Sequence, residues 1–218
     1  MQFLDIHTHQ QDEQPGVRSI LSVSLTGDQG PVIVEDRYVS VGLHPWFATM
    51  QSLEEDFSRL VEVAAGLQVK LIGECGLDRL KGESLENQLL ILKKQLRLAA
   101  EINKPVILHC VKCFDELMAV KKEMKFDIPF ILHGFNKHEA LGRQLLNKGF
   151  FLSFGKAILN ADSGAAAILK DIDVFFLETD DADYNIVEIY EAAANLKNCS
   201  VNELKALIFA NWKKIMLI

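Results

Sequence analysis

Residues 70–108 read KLIGECGLDRLKGESLENQLLILKKQLRLAAEINKPVIL, and this stretch decides the fold. It opens on a short apolar run, Lys70 to Ile72, and closes on another, Pro105 to Leu108. Between them Leu85, Leu89, Leu92, Leu96 and Ala99 fall on one helical face. Strand, amphipathic helix and strand in that order make a crossover unit, which joins parallel neighbours in a sheet covered by helices. The alternation extends outward in both directions. Further apolar runs lie at Phe3 to Ile6, Ser19 to Leu25, Tyr38 to Val41, Phe130 to Leu132, Phe150 to Phe154 and Val174 to Leu177. Leu141 and Leu145 mark another helical face, as do Ile186, Ile189 and Ala193. Eight such strands predict an α/β fold of the TIM-type (β/α) barrel class.

The first third departs from this pattern. Gln10 to Gly16 and Thr26 to Asp36 are dense in turn formers and too short or irregular for crossover helices, so the barrel is expected to be trimmed of helices between its first strands. At the other end Ser200-Val201-Asn202-Glu203 forms a capping-box pattern before Leu204, Ile208, Trp212 and Ile215, a helix expected on the outside of the barrel with Trp212 and Phe209 filling core.

At 218 residues and 49% hydrophobic, residues 1–218 are expected to form a single domain. No apolar run is long enough to span a membrane, and the first residues lack the features of a secretion signal. Cys75, Cys110, Cys113 and Cys199 show no disulfide-framework spacing, which fits a cytoplasmic protein; the lone C-x-x-C of Cys110 and Cys113 is a weak redox signal. With 23 Lys and Arg against 30 Asp and Glu the net charge is −7, the opposite of a chain that coats duplex DNA. Nucleic-acid chemistry would have to be confined to a local site, where divalent metals can supply positive charge.

Candidate chemistry sits where strands end. His7 and His9 alternate off the first strand onto one side. Glu74 follows Lys70 to Gly73, His109 follows Pro105 to Leu108, His133 follows Phe130 to Leu132, and Asp180 follows Val174 to Leu177. Active sites of TIM-type barrels assemble at those ends. Four histidines and two carboxylates exceed what one open ion needs, so two divalent ions are expected, with Glu74 the best-placed bridge. Donors of N and O without thiolate suit magnesium, manganese or zinc.

In these residues the chain resembles the TatD family of metal-dependent deoxyribonucleases, within the amidohydrolase-like superfamily. The matching pieces are Asp5-Ile6-His7-Thr8-His9, Gly42-Leu43-His44-Pro45, Gly73-Glu74-Cys75-Gly76-Leu77-Asp78, Gln88 and Gln95, His109, His133, Gly149 to Gly155, and Glu178-Thr179-Asp180. The resemblance implies a TIM-type barrel and phosphodiester hydrolysis, usually of DNA. It implies that His7, His9 and Asp180 hold the first metal, that Glu74 bridges, and that His109 and His133 hold the second. Where the family often has arginine after the fifth-strand histidine, this chain has His109-Cys110-Val111-Lys112; His133-Gly134-Phe135-Asn136-Lys137 and Asp181-Ala182-Asp183 depart as well. These departures spare the ligands and bear on the substrate.

The expected activity is hydrolysis by metal-activated water, with Asp180 as proton acceptor and Glu74 at the bridge, acting on nucleic acid and in particular single-stranded DNA ends. His44, Arg79, Lys112, Lys137 and Lys156 lie just past strand ends as candidate substrate contacts; the lysines and arginine read more readily as surface charge, and His44 equally as a structural histidine. Asp78 is expected to orient a ligand or fix its loop, and His138 to be surface. Two other functions fit the pattern less well: hydrolysis of a small phosphodiester, lactone or amide, and a non-catalytic metal-binding or interaction role. No protein partner can be inferred.

Overall fold

A computed structural model describes residues 1–12, 14–27 and 37–218. Eight parallel strands follow one another through the sheet in chain order: β1 (Phe3–Thr8), β2 (Val17–Ser24), β3 (Tyr38–Gly42), β4 (Val69–Asp78), β5 (Val106–Val111), β6 (Phe130–Leu132), β7 (Phe150–Phe154) and β8 (Phe176–Leu177). Just past β8, Asp180 bridges in parallel to Thr8 at the end of β1, which brings the order back to its start. This is the TIM-type (β/α) barrel order. The chain divides into two compact units, residues 1–21 with 131–218 and residues 22–130.

In the first unit β1 pairs with the opening of β2, from Phe3 with Val17 to Thr8 with Leu21. No helix intervenes among the described residues of that connection, as the turn-forming sequence predicts. The expected irregularity at Thr26 to Asp36 lies mostly outside the described residues. Helices α4 (Glu139–Asn147), α5 (Gly164–Asp171), α6 (Ile186–Lys197) and α7 (Val201–Lys214) complete the unit, with a 3-10 turn at Lys156–Leu159. The capping box before α7 forms: Ser200 Oγ accepts from Glu203 N, and Glu203 accepts from Ser200 N at 2.8 Å. Trp212 is fully buried, whereas Phe209 is only half-buried. Polar groups anchor these helices. The Tyr190 hydroxyl of α6 both accepts from Leu4 N and donates to Leu4 O, each at 3.1 Å, and Asn211 of α7 donates to Asp173 O and Phe175 O.

In the second unit α1 (Leu53–Ala64), α2 (Leu85–Glu101) and α3 (Phe114–Met124) accompany β3, β4 and β5. Sequence periodicity places Leu85 and Leu89 on the buried face of α2, but both are only half-buried. The buried stripe is rotated to include Gln88, Ile91, Leu92, Gln95, Leu96, Leu98 and Ala99. Two glutamines are tolerated there because every hydrogen-bonding end finds loop backbone. β4 runs six residues beyond its predicted end at Ile72, because its pairing with β5 resumes after an irregularity between Ile72 and Cys75. Glycine makes this possible at Gly73 and Gly76, with φ of 133° and 153°. A Cβ on Gly76 would stand 1.9 Å from His109 O, so the two strands approach too closely for any side chain.

Candidate metal centre

The first unit builds its part of the site on the junction of β1 with the segment after β8. Asp180 N donates to His7 O at 2.9 Å and His9 N donates to Asp180 O at 3.0 Å. Asp180 itself takes a left-handed conformation, φ 55°. Its Oδ1 lies 3.5 Å from His7 Nε2 and 3.7 Å from His9 Nε2. The His133 ring stands 4.5 Å from that of His7. His7, His133 and Asp180 each offer a donor atom within 4.8 Å of the others, so the three could share one ion.

Beneath this triad is a buried polar layer. The Asp5 carboxylate accepts from His7 N, from Thr179 N and, at 2.7 Å, from the Thr179 hydroxyl. Burial pushes Asp5 up to about 7, against the downward pull of those hydrogen bonds. Glu178 is fully buried; its Oε1 accepts from Gly134 N at 2.5 Å and lies 3.6 Å from His133 Nδ1. It holds the backbone after His133 and faces the imidazole itself. A cleft beside the triad is lined by Asn136, Lys156, Glu178 and Asp180 together with Gly134 and Gly155.

The second unit carries its own triad. Glu74 Oε1 lies 3.0 Å from His44 Nε2 and 2.8 Å from His109 Nδ1. Here too all three donors fall within 4.8 Å of one another. Glu74 sits where β4 departs from regular pairing, a place where strands re-aim side chains. Trp46 N donates to His44 Nδ1 at 3.2 Å, which turns Nε2 toward Glu74. His109 Nε2 lies 3.3 Å from Asp78 Oδ2, which also accepts from Trp46 Nε1 at 2.6 Å. Burial acts to raise Asp78, but hydrogen bonds from Leu80 N, Trp46 and His109 outweigh it and leave the carboxyl below its usual range. Asp78 therefore both orients His109 and fixes its loop, as its place in the sequence predicts.

Five of the six residues read as ligands thus stand in a donor triad within one unit, His7, His133 and Asp180 in the first and Glu74 and His109 in the second, while His9 approaches Asp180 at 3.7 Å. His133, which the resemblance pairs with His109, is placed against His7 and Asp180. His44, read as a substrate contact or a structural histidine, joins Glu74 and His109 as a donor. Of the other candidate contacts, only Lys156 lines the cleft. Arg79 forms an ion pair with Glu116 and donates through Nε to Lys112 O, while Lys112 and Lys137 are exposed. His138 caps α4, accepting from Leu141 N. Sequence reasoning gave no role to Glu178; its signal was a carboxylate directly after an apolar strand, where burial demands a partner.

Residues 33–216 match the family profile described as TatD related DNase. The chain belongs to the TatD family. It is 33% identical over 152 residues to a 3'-5' ssDNA/RNA exonuclease TatD of Cronobacter sakazakii, an alignment covering 67% of this chain and 57% of that protein. An uncharacterized metal-dependent hydrolase of Bacillus subtilis is 26% identical over 83% of this chain and 78% of its own length. Among solved structures, a TatD homolog from Escherichia coli superposes with a TM-score of 0.80 at 22% identity, covering 98% of this chain and 97% of that one, which shows the shared fold. This TatD-family member is accordingly a metal-dependent hydrolase of deoxyribonuclease type, acting on ester bonds. The donor sets fit that chemistry: each triad supplies imidazole nitrogen and carboxylate oxygen, without thiolate, inside a few ångströms. No helix among the described residues is long and apolar enough to cross a membrane.

Proposed function

We propose that this TatD-family protein hydrolyses phosphodiester bonds at single-stranded DNA ends, working from the 3' end with two divalent ions, one at His7, His133 and Asp180 and one at His44, Glu74 and His109. The observation that carries the reading is that each unit gathers its own triad of imidazole and carboxylate donors within 4.8 Å of one another. Magnesium, manganese and zinc all suit these donors. The substrate and direction are supported by the name of the Cronobacter relative.

When bound, divalent ions acidify water and polarise phosphoryl oxygens. Asp180 is the proton acceptor: its side chain is 33% exposed, open to the cleft, and oriented by His7 and His9. Lys156, exposed in the same cleft, supplies a cation for a phosphate oxygen. His109 is kept in one orientation by Asp78, and His133 by Glu178, so the donors meet a phosphate already arranged.

The test is hydrolysis of 5'-labelled single-stranded DNA by metal-stripped protein given Mg²⁺, Mn²⁺ or Zn²⁺, with Asp180→Asn alongside. A ladder shortening from the 3' end, dependent on metal and lost in the variant, is expected. No cleavage with any ion at confirmed two-ion occupancy would overturn the nuclease reading in favour of a small phosphodiester. Undiminished cleavage by Asp180→Asn would remove that residue from its role.

A further inference from the structure

The loop after β3 and the loop after β4 are fastened to each other beside the His44, Glu74 and His109 triad. Gln95 clamps Leu43, accepting from its N–H at 2.7 Å and donating to its carbonyl at 3.1 Å. Gln88 Nε2 donates to the carbonyls of Asp78, Lys81 and Glu83. Met50 N donates to Glu83 Oε1, and Gly82 backs so closely onto Pro45 that a Cβ there would stand 2.0 Å from its carbonyl oxygen. This fixed rim carries four large apolar side chains in water: Trp46 at 38% exposure, Phe47 at 58%, Met50 at 41% and Leu80 at 63%.

The two aromatics among them reach the donors. The Trp46 ring meets those of His44 and His109 edge-on, at 5.0 and 5.5 Å, and Phe47 is tilted against His44 at 5.5 Å. Trp46 cannot swing freely, because Nε1 is tied to Asp78. Lys81 places its ammonium 3.8 Å from the Trp46 ring centroid. A fixed, water-exposed pair of aromatic rings set edge to face, with a cation over one of them and beside residues that would hold a metal ion, matches one kind of substrate group: a flat π-system joined to an anion.

We propose that Trp46 and Phe47 form a stacking platform for the nucleobase adjoining the scissile phosphate, Phe47 offering its face and Trp46, set at 76° to it, closing the edge, with Lys81 balancing the phosphate charge. The platform rests on the nuclease reading and names what the site recognises besides the phosphate: the face of a base, read without regard to its hydrogen-bonding edge. Such a platform favours unpaired ends, since a base within a duplex has both faces covered by its neighbours.

Two measurements test it. The first compares an oligonucleotide with its twin whose terminal nucleotide lacks a base. Wild-type protein is expected to prefer the base-bearing end by about ten- to a hundredfold in kcat/KM, the range typical of one stacked base. Phe47→Ala and Trp46→Ala should shrink that ratio toward one, and Phe47→Tyr should restore it; because the ratio is taken within each variant, general damage to the fold cancels. Equal cleavage of both ends by the wild type, or an unchanged ratio in both alanine variants, would overturn the platform while leaving the nuclease intact. Cleavage of neither end would overturn the nuclease reading and the platform with it.

The second needs no turnover. Of the two tryptophans Trp212 is buried, so quenching by a short single-stranded oligonucleotide in Asp180→Asn reports on Trp46. Saturable quenching by the base-bearing oligonucleotide, lost with the abasic one, supports stacking. Emission indifferent to both, with binding confirmed by anisotropy, counts against it.

Discussion

Glu178 shows how a side chain with no predicted role can set the behaviour of one that has it. It is sealed from solvent, holds Gly134 N and faces His133. Glu178→Gln keeps an acceptor for Gly134 but removes the negative charge beside the imidazole. The expected result is a tenfold to hundredfold weaker ion at the His7, His133 and Asp180 triad, the usual effect of removing a partner of a ligating histidine, with the other ion unaffected. Calorimetric titration of metal-stripped protein with Zn²⁺ would show it; two unchanged affinities would deny Glu178 this part. The candidate donors were legible because H-x-H, Glu74 and Asp180 stand beside apolar runs where a charge needs a reason. Their grouping was not. Which histidine faces which carboxylate depends on the end of each strand and on rotamers, and neither is written in spacing.

At the level of elements, β6, β7 and β8 end where their apolar runs end, whereas β4 does not. β4 was expected to stop at Ile72 because Gly73, Glu74, Gly76 and Asp78 are poor strand formers. They remain in the strand because the two glycines take backbone conformations and close contacts that a side chain would forbid. α2 repeats the lesson, since a periodicity of leucines pointed to one face while two glutamines claimed the neighbouring one. Gln95→Leu would fill the same space and leave both backbone groups of buried Leu43 without their partner. The expected cost is roughly 2 to 4 kcal/mol, read as a lower urea midpoint at unchanged slope. Activity should fall by more than the stability loss explains, because His44 is the next residue along the released loop. A variant as stable as the wild type would show that the clamp contributes nothing.

For the whole molecule, charge is the governing quantity. With a net charge of −7, general attraction cannot draw DNA to this protein, and on the proposed reading binding rests on a few local cations such as Lys81 and Lys156. Cleavage of single-stranded DNA should therefore lose kcat/KM with salt along a shallow log–log slope, roughly −1 to −2 for two or so phosphate contacts. A slope several times steeper would point to an extended basic track absent from this reading. The order of eight strands was visible in the sequence because buried parallel strands must be apolar nearly throughout. The shortened connection after β1 was visible as a cluster of turn formers.

On the proposed reading each triad holds its own ion, and if the two sites fill independently each ion finds its place by its own local equilibrium. If catalysis needs both, the working fraction is the product of two occupancies. Under metal scarcity, turnover then climbs with the second power of free ion, and halving the supply quarters the output. Such a protein is nearly silent when divalent ions are scarce and rises sharply when they return, a dose response set by arithmetic rather than by any moving part.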